Sequence, residues 1–204
     1  MNWFDRLRGG THCPFAKRAS VLMGPTWQEK DSYEANVLRH SDALSSFGQR
    51  VAPERLHGIV FVVDEFQKAL NFEEVRVGFC KYLNALAKFD KSCAKAMEAD
   101  FLSSDWQFEH NGVRYFLNVF ASFYGPNHSK FCSLECGFAI FLQPEVSFDF
   151  CGNVDLSSFK HEIRKRFSDA GKPYNGGQID KRIEALIYMF PEKETDGPVI
   201  WWEN

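Results

Sequence analysis

Apolar and polar positions along this chain follow two periods, and each predicts its own elements. From Phe72 to Phe89, the residues Val75, Phe79, Tyr82, Leu83, Leu86 and Phe89 recur at intervals of three or four. That stripe predicts an amphipathic helix, with Asn71 as its cap and Glu73 and Glu74 suited to the positive end of its dipole. Gly58 to Val63 is continuously apolar, the pattern of a central strand. Val113 to Phe123 is rich in aromatic and β-branched residues, which favour a pleated, half-buried surface. Asn111-Gly112 just before it is a strong hairpin signal and sets Trp106–Glu109 opposite Val113–Phe116. Gly137 to Gln143 is a further buried strand, ended by Pro144 because proline removes a ladder donor.

Weaker signals flank this centre. Helices are expected over 16–23, stopped by Gly24-Pro25, and over 31–47, with Asp31 or Ser32 as cap and Tyr33, Val37, Leu44 and Phe47 as its stripe. Pro53 marks a loop, and a short helix is expected over 92–100. Residues 156–167 predict a helix with Phe159, Ile163 and Phe167 on one face, and 182–189 fit helix or strand equally. Residues 198–203 predict a short closing strand. No repeat or long linker divides the chain, so the pattern predicts one α+β domain over residues 1–204. Its central sheet is mostly antiparallel and flanked by helices.

Composition narrows this picture. Aromatic residues make up 16% of 204 positions, with 21 Phe, enough for a large aromatic core or a flat apolar pocket. A net charge of −3 gives no electrostatic case for nucleic acid. Apolar runs such as 58–63 are too short to span a bilayer, so no membrane partner is expected. The first residues lack an apolar stretch ahead of a cleavage site, and six Cys in such a chain read as free thiols in a reducing compartment. A cytoplasmic protein is expected.

Candidate chemistry gathers in the turn between the two best strands, where Gly125-Pro126 displays Asn127, His128, Ser129 and Lys130. His128 reads either as a solvated turn residue or as an axial ligand to a metal or haem. With Cys132 and Cys136 it makes H-x3-C-x3-C, a spacing unlike the usual zinc knuckle and without a second half. Cys13, beside Pro14 and Lys17, is a thiolate ligand or a small buried hydrophobe. Glu145 is a surface carboxylate or a partner for a cationic substrate. Arg164, Arg166 and Lys172 form a solvated face or hold carboxylates by charge-assisted pairs. No dinucleotide, Walker, zincin or nucleophile-elbow motif is present.

The order of these short motifs resembles the YqcI/YcgG family. Cys13-Pro14-Phe15-Ala16-Lys17, the strand GIVFVV and Phe79-Cys80-Lys81-Tyr82-Leu83 match features of the family in sequence order. SSDWQFEHNGVRYFL is similar to its F-x-F-x-x-x-G-x-x-[YF]-F-V segment. FYGPNHSKF stands at its G-L-H-P-x-S-S-R turn, IFLQPEVSF at its V-F-N-P-H-E-Q-F, and HEIRKRF at its I-R-x-R-D. Without gaps, the turn His of the family falls on Gly125 and its second His on Glu145, while the last Asp becomes Phe167.

Some members of that family are haem-dependent N-oxygenases. The resemblance therefore implies haem b and oxidation of a nitrogen of a small amino-acid-like substrate, with O2 and an electron donor as further partners. His128 would be the iron ligand, with His12 and His161 as rivals. Tyr124, Lys130, Arg164 and Arg166 would surround the cofactor, while Phe123, Phe131 and Glu145 would face the substrate. The alternative is a non-catalytic haem- or small-ligand-binding protein.

Overall fold

The computed structural model describes residues 3–92, 95–151, 156–172, 174, 179–193 and 195–203. Five strands form one sheet: β1 (Val21–Met23), β2 (Gly58–Val63), β3 (Phe108–His110), β4 (Val113–Phe120) and β5 (Phe138–Pro144). Their order is β1-β2-β5-β4-β3, with β1 parallel to β2 and every other pair antiparallel. The α+β class and the mostly antiparallel sheet agree with the sequence pattern. Asn111 and Gly112 both take left-handed backbone angles, φ 50° and 78°, as a two-residue hairpin loop requires. The resulting register sets Phe108 opposite Tyr115.

Two long helices cover one face of the sheet. Helix α3 (Tyr33–Glu54) starts at Ser32, whose hydroxyl accepts from the Ala35 N–H at 3.1 Å. Helix α4 (Phe72–Ala87) starts at Asn71 in a full capping box with Glu74. Alternation fixes which strand residues meet them. Ile59, Phe61, Val63, Tyr115, Leu117, Val119, Phe138, Ile140 and Leu142 share that face, and all are at most 3% exposed. A side chain on Gly48 of α3 would lie 3.2 Å from the Tyr115 hydroxyl, and one on Gly78 of α4 would lie 3.1 Å from the Phe138 ring. These glycines let both helices settle close to the sheet. The opposite face carries Phe116, Asn118, Phe120, Phe141 and Gln143, and there the polar positions begin.

Several expected elements differ. In place of a helix over 16–23 the chain makes α2 (Pro14–Arg18) and then strand β1. Val21 and Leu22 gain a ladder with β2, and the Gly24 N–H extends it to the Val60 carbonyl at 2.8 Å. Helix α3 runs through Pro53 to Glu54, because a proline in the last turn forfeits only one intrahelical bond there. Among the described residues of 92–100, Ala96–Glu98 makes a 3-10 turn, and 182–189 yield the one-turn helix α6 (Ala185–Tyr188). No strand forms over 198–203. Trp201 is fully buried there instead, its indole N–H donating to the Ala185 carbonyl at 2.7 Å, so ring packing replaces ladder pairing. At the termini, α1 (Trp3–Gly10) precedes α2, and α5 (Leu156–Asp169) matches the expected basic helix. No helix among the described residues is long and apolar enough to cross a membrane.

Candidate functional site

The turn after β4 is pinned at both ends. The Ala121 N–H donates to the Lys130 carbonyl at 3.2 Å, and the Cys132 N–H donates to the Ala121 carbonyl at 3.3 Å. Between those ties, Ser122–Tyr124 makes one 3-10 turn, and Gly125 takes φ 74° to reverse the chain. A loop so constrained aims its side chains reproducibly.

His128 is aimed into the protein. Its ring stacks on Tyr124 with centroids 4.2 Å apart and planes 6° from parallel. Its Nδ1 accepts from the Lys130 N–H at 3.1 Å, which leaves Nε2 as the N–H, and the Pro191 carbonyl accepts from the ring. Burial drives its pKa down to about 4, the nearby Lys130 charge adds to that, and the Pro191 bond opposes it. Both ring nitrogens are thus committed to the backbone. Tyr124 is committed as well, its hydroxyl donating to the Phe190 carbonyl at 2.7 Å. Together His128 and Tyr124 clamp the segment after α6 to the turn, and neither nitrogen is offered to iron as the sequence expectation required.

Lys130, two residues further on, is the unusual residue of the turn. It is 1% exposed, and its ammonium donates to the Asn118 side-chain oxygen. Three rings surround it, with Nζ 4.4 Å from the centroid of Phe190, 4.9 Å from Tyr174 and 5.4 Å from Phe120. Their π faces attract the cation, yet no described carboxylate pairs with it. Desolvation pulls its pKa from the ordinary lysine value down to about 7.

This aromatic wall continues outward to other predicted residues. Tyr174 stacks on Phe167 of α5 at 4.9 Å, and the His12 ring meets Phe167 edge-on at 5.6 Å. Cys13 and Arg164 both act electrostatically on the Tyr174 phenol, and Arg164 acts on Lys181. The N-terminal Cys-Pro stretch, the central turn and the basic helix therefore converge at one end of the sheet. His12 forms no hydrogen bond with a described residue, so its ring is uncommitted in the way His128 is not.

The remaining predicted residues lie elsewhere. Glu145 sits at the opposite end of β5: Pro144 pairs with Tyr115, whereas the turn follows Phe120. Five strand steps at roughly 3.3 Å put about 16 Å between them. Glu145 is exposed there and faces Arg114 at 3.7 Å. Arg166 points to solvent and pairs with Glu162 at 2.7 Å, and His161 is exposed. Phe123 packs against Phe72 at 5.5 Å and Tyr124 at 4.1 Å, and Phe131 joins the main core, so both serve packing. Cys132 is 2% exposed with its pKa pushed up to about 12 by burial, and no group among the described residues is arranged to hold a metal ion.

Sequence reasoning missed Asn118, Phe120, Tyr174 and Phe190. One signal for this site was present: Asn118 interrupts an otherwise apolar strand, and a buried amide there needs a partner. Nothing local announced that the partner would be Lys130, because twelve residues and a full turn separate them.

Comparisons with curated proteins and with solved structures each found no match. A family model matches residues 12–185, from the uncommitted histidine to the start of α6. That span takes in all five strands and every residue of the converging cluster except Phe190, so the chain belongs to the YqcI/YcgG family.

Proposed function

We propose that this protein binds haem b at the end of the sheet where residues 12–13, 118–130, 164–167 and 174 meet, and oxidises a nitrogen of a small amino-acid-like substrate there. The observation that carries this reading is the convergence of three family-like stretches on one aromatic wall. The donor set suits haem at His12 and does not suit it at His128. His12 offers an uncommitted imidazole beside the free thiol of Cys13. Phe167 and Tyr174 supply flat apolar surface, and Arg164 supplies a cation for a propionate. When bound, haem supplies the activation of O2, with electrons from a separate donor. The chain's own residues would bind and orient the substrate nitrogen and keep bulk water from it. The free thiols Cys13, Cys80, Cys132 and Cys136 suit a reducing, cytoplasmic setting.

A second reading has its own support. The rings of Phe167, Tyr174 and Phe190 pack on one another within 4.9–5.7 Å, a filled wall that favours a non-catalytic small-ligand-binding protein. Haem reconstitution of the purified protein separates the two. A Soret band lost in His12→Ala and kept in His128→Ala, together with haem- and O2-dependent oxidation of an amino-acid nitrogen, supports the oxidase reading and its ligand. No haem binding by the wild-type chain would overturn it.

A further inference from the structure

Three of the five tryptophans form a series of ring contacts. Trp106 lies 6.2 Å from Trp201, and Trp201 lies 5.4 Å from Trp202, centroid to centroid. Tyr188 joins both buried indoles, 5.5 Å from Trp106 and stacked 6.2 Å from Trp201 with planes 17° apart. Trp106, Trp201 and Tyr188 are buried, whereas Trp202 is only half-buried. Trp202 also packs on the apolar cluster of Ile179, Leu186 and Phe190, and Tyr174 packs on that same cluster from the proposed site. The series therefore leads from the Tyr174 wall to a fully buried phenol.

Packing accounts for the rings but not for what their polar atoms meet. The Trp106 N–H donates to the Ala96 carbonyl at 2.8 Å, and the Trp201 N–H donates to the Ala185 carbonyl at 2.7 Å. A carbonyl holds such a hydrogen without keeping the proton, so an indole oxidised there stays a radical cation and passes its charge on. The Tyr188 hydroxyl is placed differently. The Phe108 N–H donates to it at 3.1 Å, and its own hydrogen has two acceptors, the Tyr115 carbonyl at 2.8 Å and Glu184 Oε1 at 3.1 Å. Of those two, only the carboxylate can keep a proton. A half-buried glutamate beside a buried phenol costs desolvation that an apolar side chain would avoid, so stability alone does not explain it.

From this arrangement we infer that Trp202 and Trp201 relay one-electron oxidising equivalents to Tyr188, which is oxidised as its phenolic proton passes to Glu184. A strong one-electron oxidant takes an electron from Trp202, and Trp201 refills it. Tyr188 then supplies the electron that Trp201 lacks. Its O–H bond breaks, the proton joins the Glu184 carboxylate, and a neutral tyrosyl radical and a glutamic acid remain. Trp106, in contact with both Trp201 and Tyr188, offers the charge a second buried indole on the way. A one-electron reductant such as ascorbate restores the phenol, with the proton returned by Glu184. Such a relay drains stray oxidising equivalents from the Tyr174 wall and spares Cys13 and His12. It goes beyond the proposed function and works with any one-electron oxidant near Trp202, so it does not depend on haem.

The test uses the full chain without haem, oxidised by azide radical generated in pulse radiolysis, which attacks indoles in preference to phenols. Trp27 and Tyr33, 5.4 Å apart, are a second indole–phenol pair, so every sample carries Trp27→Phe. Absorption of the tryptophan radical should decay as that of the tyrosyl radical rises, at a rate independent of protein concentration. Tyr188→Phe keeps the ring and should abolish the rise. Glu184→Gln keeps the volume but removes the base, and should slow the rise by about a hundredfold. Trp201→Phe should also slow it, and near-UV circular dichroism of each variant checks that the rings remain packed. A tyrosyl rise undiminished in a folded Tyr188→Phe, or a rate unchanged in both Glu184→Gln and Trp201→Phe, would overturn the relay. A missing Soret band on haem reconstitution with the tyrosyl rise intact would sink the haem reading and leave the relay standing. A Soret band without the rise would do the opposite.

Discussion

Burying Lys130 should leave a mark on stability that pH reveals. Its folded-state pKa is lowered to about 7 from the ordinary 10.5, with desolvation as the cause. Between those values the unfolded chain binds a proton that the folded chain releases, so stability rises with pH through this window. Below pH 7 both states are protonated and the cost of burying the charge is present in full. At 1.36 kcal/mol per pKa unit, a difference of roughly 3.5 units amounts to about 5 kcal/mol over the window, approached at about 1.4 kcal/mol per pH unit. His128 and His40, both lowered to about 4, shed their effect below the ordinary histidine value and so act in a separate, more acidic range. Lys130→Met isolates the lysine. It removes the charge, keeps most of the volume, and leaves the Asn118 oxygen without its donor at a cost of about 1–3 kcal/mol. Urea denaturation of wild type and variant from pH 6 to pH 10 measures the difference directly. Wild-type stability should climb relative to the variant from pH 7 upward. A difference that stays flat, or that climbs toward acid pH, would refute the reading of Lys130 as a buried, unpaired cation.

Other expectations are independent of that one. Phe79 is fully buried with its ring 4.7 Å from Trp201, so Phe79→Ala should cost about 3–5 kcal/mol in chemical denaturation, and a loss under about 1 kcal/mol would show that α4 packs differently. His128→Ala removes the Tyr124 stack and the acceptor of the Lys130 N–H; it should lower stability by about 1–3 kcal/mol and leave haem affinity unchanged, whereas His12→Ala should do the reverse. In the folded protein a thiol reagent should modify the partly exposed Cys13 and Cys136 rapidly and spare Cys80 and Cys132 until denaturant is added, when all six thiols titrate; rapid labelling of Cys132 in the native state would contradict its burial.

What the sequence determined was whatever short-range periodicity encodes. The stripe from Val75 to Leu86, the Asn71 cap and the Asn111-Gly112 loop each act within one element or one turn, and α4 and the β3–β4 hairpin formed where those signals stand. The turn carrying His128 and Lys130 was legible for the same reason. Tertiary structure decided everything that depends on a distant partner. Val21–Met23 became a strand because β2 offered it an edge, and 198–203 gave up pairing because Trp201 found the Ala185 carbonyl. The readings of His128 and Lys130 changed on the same ground. The sequence suggested an iron ligand and a cation beside the cofactor, but Pro191 took the imidazole, while Asn118, Phe120, Tyr174 and Phe190 enclosed the ammonium. A side chain's chemistry is written in its own residue, but its protonation and availability are set by neighbours that only the folded chain brings within a few ångströms.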